Sequence, residues 1–306
     1  MPESRKGLLY GVAAYALWGL FPLYWPLLKP AAPVEILAHR IVWSLVAVIA
    51  ILVVRRHWSW FRTITRRQFI LLTLAALTVS VNWGVYIYAV NSGHVVESAL
   101  GYFINPLVNV LFGVFVFRER LRPWQWAAVG LGAAAVLILT VDYGRLPWIA
   151  LTLACSFGLY GLIKKTANVG AAESLSIETV VLLIPALGYL LFLQTQGTST
   201  FGTAGVGHAL LLVGAGVITA VPLLFFTASA IRVPLTIVGL LQYIAPVLQF
   251  LCGILVAHET MPASRWAGFA VVWLALSIFS WDGLRQVRAS RRAAKAKADA
   301  QVLEAV

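Results

Sequence analysis

Apolar runs of about 20 residues recur along the whole chain, and each is closed by a charged or Gly/Pro-rich break. They fall at Gly7–Leu28, Val34–Val54, Phe69–Val90, Val95–Phe117, Trp124–Val141, Leu146–Ile163, Ser174–Leu193, Val206–Ala230, Pro234–Ala257 and Ser264–Trp281. A helix needs roughly 20 such residues to cross a bilayer, so the pattern predicts an all-α polytopic membrane protein of about ten transmembrane helices. The first run follows Arg5 and Lys6 as a signal peptide would. It is too long for a signal core and leads directly into further spans, so it reads as a span.

The pattern also repeats. A shift of 140 residues lays Ile104 on Ile244, Pro106 on Pro246, Leu111 on Leu251, Gly113 on Gly253, Glu119 on Glu259 and Trp126 on Trp266. A shift of 139 lays Gly19-Leu20 on Gly158-Leu159. Residues 1–143 and 144–283 then form two five-helix repeats, and 284–306 forms a basic tail. An odd number of spans inverts the second repeat in the membrane. Arg118, Arg120 and Arg122 accordingly align with His258, Thr260 and Pro262, so the basic residues vanish where the inverted loop faces outward. Many transporters are built this way.

Composition agrees with this reading. Of 306 residues, 61% are hydrophobic and 11% charged, against about 25% charged in soluble domains. No water-soluble fold of this size could bury so much apolar surface, and no separate soluble domain is expected. The net charge of +12 is distributed as a topology signal rather than as a nucleic-acid surface. With a cytoplasmic N-terminus, every one of the 23 Lys and Arg residues except Lys29, Arg145, Arg265 and the intramembrane Arg40 lies in an inside segment or the tail. Both termini are therefore expected in the cytoplasm, with the chain in the cytoplasmic membrane. Cys155 and Cys252 sit in apolar runs and support neither a disulfide framework nor a metal site. No Walker motif, metal-ligand cluster or nucleophile elbow appears, so no cofactor, metal or enzymatic activity is expected.

Several local strings are distinctive together: EILAHRIVWS (35–44), NWGVYIYAVN (82–91), ESALGYFINPLVN (97–109), YGLIKK (160–165), VPLLFFTA (221–228) and QYIAP (242–246). On these strings the chain resembles the EamA-type drug/metabolite transporter superfamily, and within it the RarD-type branch named for chloramphenicol sensitivity. The resemblance runs from the second span to the ninth. It implies ten spans, alternating access, and export or exchange of small metabolites, without naming a substrate. The basic tail is longer than the resemblance requires.

Ionisable groups inside a bilayer are expensive and are functional candidates by default. Glu35 and His39 lie four apart on the outer turns of the second span, with Arg40 beside them, and read as an outer gate or proton-responsive site or as an interfacial anchor. Glu97 opens the fourth span and Glu178 lies in the seventh, further candidates for proton coupling. Glu97, Gly101 and Asn105 form a polar stripe beside Pro106, with Asn109 one turn on. The second half offers Gln242, Tyr243, Pro246 and Gln249. Aligned helix interruptions at Pro106 and Pro246 point to a binding site near the midplane, with the amides converging there, although a seam of helix-gluing amides uses the same residues. Asn82, Trp83 and Tyr86 add an aromatic face suited to lining a solute cavity. Trp58, Trp60, Trp124 and Trp148, near span ends, read as an interfacial belt, and Lys164, Lys165 and Arg232 as positive-inside anchors or as a cytoplasmic site for an anionic substrate. The expected partners are a small-molecule substrate and the lipid bilayer. No nucleic acid is expected, and no oligomer is required.

Two other function classes compete with a carrier. A membrane-embedded enzyme would cluster its acids and nucleophiles at one face, whereas here the acids scatter over both. A scaffold or sensor leaves the paired prolines and polar stripe without a purpose.

Overall fold

The computed structural model describes residues 3–55, 64–118, 120–169, 171–230, 232–233 and 235–304. Trp58, Trp60, Glu119 and Pro234, named above, lie outside the described residues.

The described elements are all helices: α1 Glu3–Gly19, α2 Phe21–Tyr24 with a 3-10 turn at Trp25–Leu28, α3 Pro33–Arg55, α4 Arg66–Asn91, α5 Val95–Phe117, α6 Pro123–Tyr143, α7 Trp148–Ala167, α8 Ala171–Thr195, α9 Val206–Ala230, α10 Leu235–Leu241, α11 Ile244–Leu255 and α12 Ala263–Glu304. Among them eight segments are long and apolar enough to cross a bilayer, or nine if the bent first pair is one span. The sequence predicted ten. The segment outside that set is α7, whose last turn carries Lys164 and Lys165.

Local chemistry sets the helix ends. Thr65 and Gln68 form a reciprocal capping box at the start of α4, satisfying donors that a helix N-terminus leaves orphaned. Pro123 starts α6, where proline's missing N–H costs nothing, and Gly144 ends it with a positive φ of 63° that suits glycine. The first span bends by 42° between Gly19 and Phe21, where Pro22 restarts the helix. The basic tail continues α12 without a break as far as Glu304.

The two prolines expected to interrupt helices differ. α5 runs unbroken through Pro106. It is held before the ring at Gly101, where an added Cβ would lie 2.7 Å from the Ala150 carbonyl oxygen, and at Asn105, which donates to the Ala154 carbonyl at 2.9 Å, and after it at Asn109 and Phe112, against which Gly158 of α7 packs. Around Pro246 the helix does break, at Gln242–Tyr243 between α10 and α11. That is one turn before the ring, where the missing Pro246 N–H leaves the Gln242 carbonyl without its helical donor. Pro185 and Pro222 also lie within helices, α8 and α9.

Packing groups the chain into two units that cut across the sequence halves. In the first, residues 1–112 and 147–261, α1 packs on α9 and α11, α3 on α8 and α9, and α4 on α7 and α8. One of its buried clusters gathers Phe21, Trp25, Leu28, Ile36, Tyr86 and Ile87 with residues of α7 and α9. The second unit, residues 113–146 and 262–306, pairs α6 with α12. Ion pairs tie those two helices near both ends, Arg122 to Asp282 and Arg265 to Asp142 at 2.8 Å. Between them Gly268 lets Leu139 approach.

Candidate functional site

The amides foreseen as solute ligands are bonded to the protein. Asn82 of α4 donates to the Leu153 carbonyl and the Ser156 hydroxyl of α7, both at 3.0 Å, and its Oδ1 accepts from the Tyr102 hydroxyl at 3.1 Å. Asn105 donates to Ala154, also on α7, and its Oδ1 accepts from Asn109 at 3.0 Å. These side chains glue α4 and α5 to α7. α7 supplies their acceptors, the carbonyls of Leu153 and Ala154 and the hydroxyl of Ser156. In the second half Gln249 donates to the Trp18 carbonyl at 3.3 Å, with its Oε1 buried and unpartnered. Gln242 and Tyr243 are half-buried at the α10–α11 break. The described bonds gather Asn82, Asn105 and Asn109 along α7 and seat Gln249 against α1, and they do not join the two sets.

The acidic candidates are also engaged. Glu35, 2% exposed, accepts from the Thr200 amide at 2.8 Å and hydroxyl at 3.0 Å, so it caps the loop before α9. Glu97, 1% exposed, accepts from the Ile149 amide at 3.2 Å, at the N-terminus of α7, where a helix end favours a carboxylate. Glu259 does the same for α5, accepting from the amides of Val95 and Val96. Glu178 of α8 accepts from Lys164 at 2.7 Å, Ser174 at 2.6 Å and Tyr160 at 3.0 Å, and Lys164 also donates to Ser174. His39 is stacked on Phe201 with centroids 4.8 Å apart, both ring nitrogens buried and unpartnered.

What the structure adds is a cluster of aromatic side chains around Arg40. This residue of α3 is 3% exposed. Its guanidinium lies 4.0 Å from the centroid of the Trp83 ring, 5.3 Å from Trp25 and 5.8 Å from Phe21. Its Nε donates to the Thr219 hydroxyl of α9 at 2.8 Å, while Nη1 is buried without a partner. Tyr86 and Tyr102 are within electrostatic reach and meet edge to face at 5.7 Å. The hydroxyl of Tyr86 and the indole N–H of Trp25 are likewise buried and unpartnered. Trp83 thus faces Arg40, while Tyr86 meets Tyr102, whose hydroxyl donates to Asn82. Arg40 itself was missed as a site residue. The available signal was a lone arginine inside an apolar run, which sequence reasoning had set beside Glu35 and His39 at the helix end. Phe21 also lines an apolar groove of about 240 Å³ with Leu17, Tyr24 and, on α9, Val217, Ile218, Val221 and Pro222.

Comparison with known proteins places this arrangement in a family. The chain is 59% identical to Protein RarD of Streptomyces exfoliatus, over 97% of this chain and 95% of that one. It is 45% identical to the uncharacterized transporter YojE of Bacillus subtilis, over 94% and 98%. The chain belongs to the RarD branch of the EamA-type transporters. The EamA-like transporter family model matches residues 5–141. The Chloramphenicol-sensitive protein RarD of Pseudomonas aeruginosa is 32% identical over 95% of this chain and 99% of its own. A solved crystal structure, 19% identical, superposes with a TM-score of 0.58 over 92% of this chain and 99% of that one, and so shares its fold. As a RarD-branch protein the chain is a multi-pass membrane protein of the drug/metabolite transporter kind, and its relatives are transporters rather than enzymes.

Proposed function

We propose that the chain is a secondary carrier of the cytoplasmic membrane. In this reading it exports or exchanges a small organic solute by alternating access, with both termini cytoplasmic and residues 1–143 and 144–283 as inverted repeats. The observation that carries the reading is reciprocal packing. Aligning the halves matches α1 with α7, α4 with α9 and α5 with α11. α1 packs on α9 and α11, and α7 packs on α4 and reaches α5. The small residues correspond too: a Cβ on Gly19 would meet Leu248 and Ala245 of α11, and one on Gly158 would meet Asn109 and Phe112 of α5. α3 packs on its own counterpart α8, and within the second unit α6 packs on α12. Two halves that embrace each other's first helix can exchange conformations, and that exchange opens a shared site to one side and then the other. The family model's match to residues 5–141 covers one such half.

The test is counterflow in proteoliposomes across a panel of small organic solutes. A carrier gives saturable uptake accelerated by unlabelled solute on the other side. Uptake that rises linearly with concentration and ignores the trans solute would refute alternating access.

A further inference from the structure

We propose that Arg40 is the counter-ion for an anionic group on the transported solute, and that this solute is an organic carboxylate with an apolar or aromatic body. The proposal rests on the carrier reading above and assigns its substrate class.

The first step concerns the charge. Arg40 is the eighth residue of α3, about 10 Å from its first residue at 1.5 Å per residue. An arginine that serves only as an interfacial anchor extends its head to water. This one does not, since it is 3% exposed and Nη1 reaches neither solvent nor a partner. A guanidinium in such a place is normally paired with a carboxylate. Among the described residues none pairs with it: Glu35 is bound to Thr200, Glu97 to Ile149 and Glu178 to Lys164. The rings of Trp83, Trp25 and Phe21 offset part of the desolvation through cation–π attraction, and Thr219 takes one N–H.

The second step concerns the donors. Arg40 Nη1, the Tyr86 hydroxyl and the Trp25 indole N–H belong to residues around the guanidinium, and all three are buried without an acceptor. The guanidinium and indole N–H groups can only donate, the tyrosine hydroxyl can donate or accept, and such groups around a positive charge with no carboxylate partner among the described residues suit an oxyanion. The planar fork of arginine fits a carboxylate in two parallel bonds. The aromatic walls, and the apolar groove that shares Phe21, suit a hydrophobic body.

The third step is internal. The offset that lays Gly19 on Gly158 lays Trp25 on Lys164 and His39 on Glu178. Arg40 itself falls on Thr179, so the two cations do not coincide in the repeat. The second half pairs its buried carboxylate with its own cation, Lys164 with Glu178 at 2.7 Å, whereas Arg40 has no carboxylate among the described residues and the solute supplies that partner.

The experiment uses the full chain in lipid nanodiscs with three matched probes: phenylacetate, phenyl phosphate and the neutral phenylacetamide. Binding is read by calorimetry and by the shift in melting temperature. Phenylacetate should bind and stabilise, and phenylacetamide should be weaker by about tenfold or more, the loss expected when a charge-assisted pair becomes neutral. Phenyl phosphate binding more tightly than phenylacetate would keep the anion site and transfer the assignment from carboxylate to phosphoryl. Arg40→Met should abolish the preference for anions, and Arg40→Lys, which keeps the charge if the first variant folds poorly, should retain it in part. Equal binding of acid and amide, binding unchanged in Arg40→Met, or no binding of any probe would overturn the assignment. Counterflow of any solute at wild-type rate by Arg40→Met would leave the carrier standing and remove the anion site. Anion binding without counterflow would do the reverse.

Discussion

Gly216 offers a direct perturbation of the Arg40 cluster from outside it. An added Cβ there would lie 2.2 Å from the Trp43 carbonyl carbon, 2.5 Å from its oxygen and 2.6 Å from the Ser44 nitrogen. These are backbone atoms of α3, so no side chain can swing aside. Gly216→Ala must push α9 away from α3 by about 1 Å to restore ordinary contact. Thr219 is one turn along the same face, and its hydroxyl holds Arg40 Nε at 2.8 Å. The same displacement carries that bond beyond hydrogen-bonding distance. Overpacking costs about 1–3 kcal/mol and a lost bond to a charged group about 1.5–3 kcal/mol, giving about 2.5–6 kcal/mol in all. Gly207 lies in the first turn of the same helix, and an added Cβ there meets nothing within 4 Å. Equilibrium unfolding in mixed micelles should show the loss for Gly216→Ala and little change for Gly207→Ala, and counterflow per folded molecule should fall only in the former. Equal stability and equal flux in the two variants would refute the account of how α3 and α9 position Arg40.

The other outcomes are more local. Glu178 is 2% exposed, so removing Lys164 alone, as Lys164→Met, should destabilise by about 3–5 kcal/mol in the same unfolding assay, and Lys164→Met with Glu178→Gln should recover most of that. Asn105→Ala should lower stability by about 1–3 kcal/mol, because the Ala154 carbonyl loses its donor; normal stability with abolished counterflow would return Asn105 to the solute site. Reporters fused after Arg122 should be cytoplasmic and those after Thr200 external, and an external signal at Arg122 would remove the inverted-repeat arrangement.

The helices were legible because the bilayer demands a long apolar run for each span, and the expected bounds of the fourth and eighth spans coincide with α5 and α9. Helix breaks were less legible. Pro106 and Pro246 occupy matching positions, yet only the second is accompanied by a break, since a ring's effect depends on what holds the helix on either side. The candidate site was legible by composition and not by role. Asn82, Asn105 and Asn109 were recognised as buried polar groups, but whether an amide serves a solute or a neighbouring helix depends on a carbonyl 49 to 71 positions away in the chain. Glu97 carries the same ambiguity, and its hydrogen bond to α7 is fixed by the packing of helices. Arg40 shows the converse, because its proposed role rests on the absence of a carboxylate partner among the described residues, and a sequence containing Glu35 five residues earlier could not reveal that absence.

The division between satisfied and unsatisfied polar groups bears most directly on mechanism. Along α7 the amides find acceptors, and each bond holds a helix in place at modest net gain. Around Arg40 the groups left over are donors, and burying each without a partner costs about 1–3 kcal/mol, more for the charge. Apolar side chains of similar size would pack there at lower cost, so stability alone gives no reason for a cluster of this composition. A ligand that supplies acceptors removes the cost only in the conformation that brings the donors together. The Arg40–Thr219 bond makes that conformation one in which α3 and α9 are closely apposed. The same groups that would recognise an anion would therefore favour one arrangement of these helices over another, and a solute shifts a conformational equilibrium only through such differential contacts.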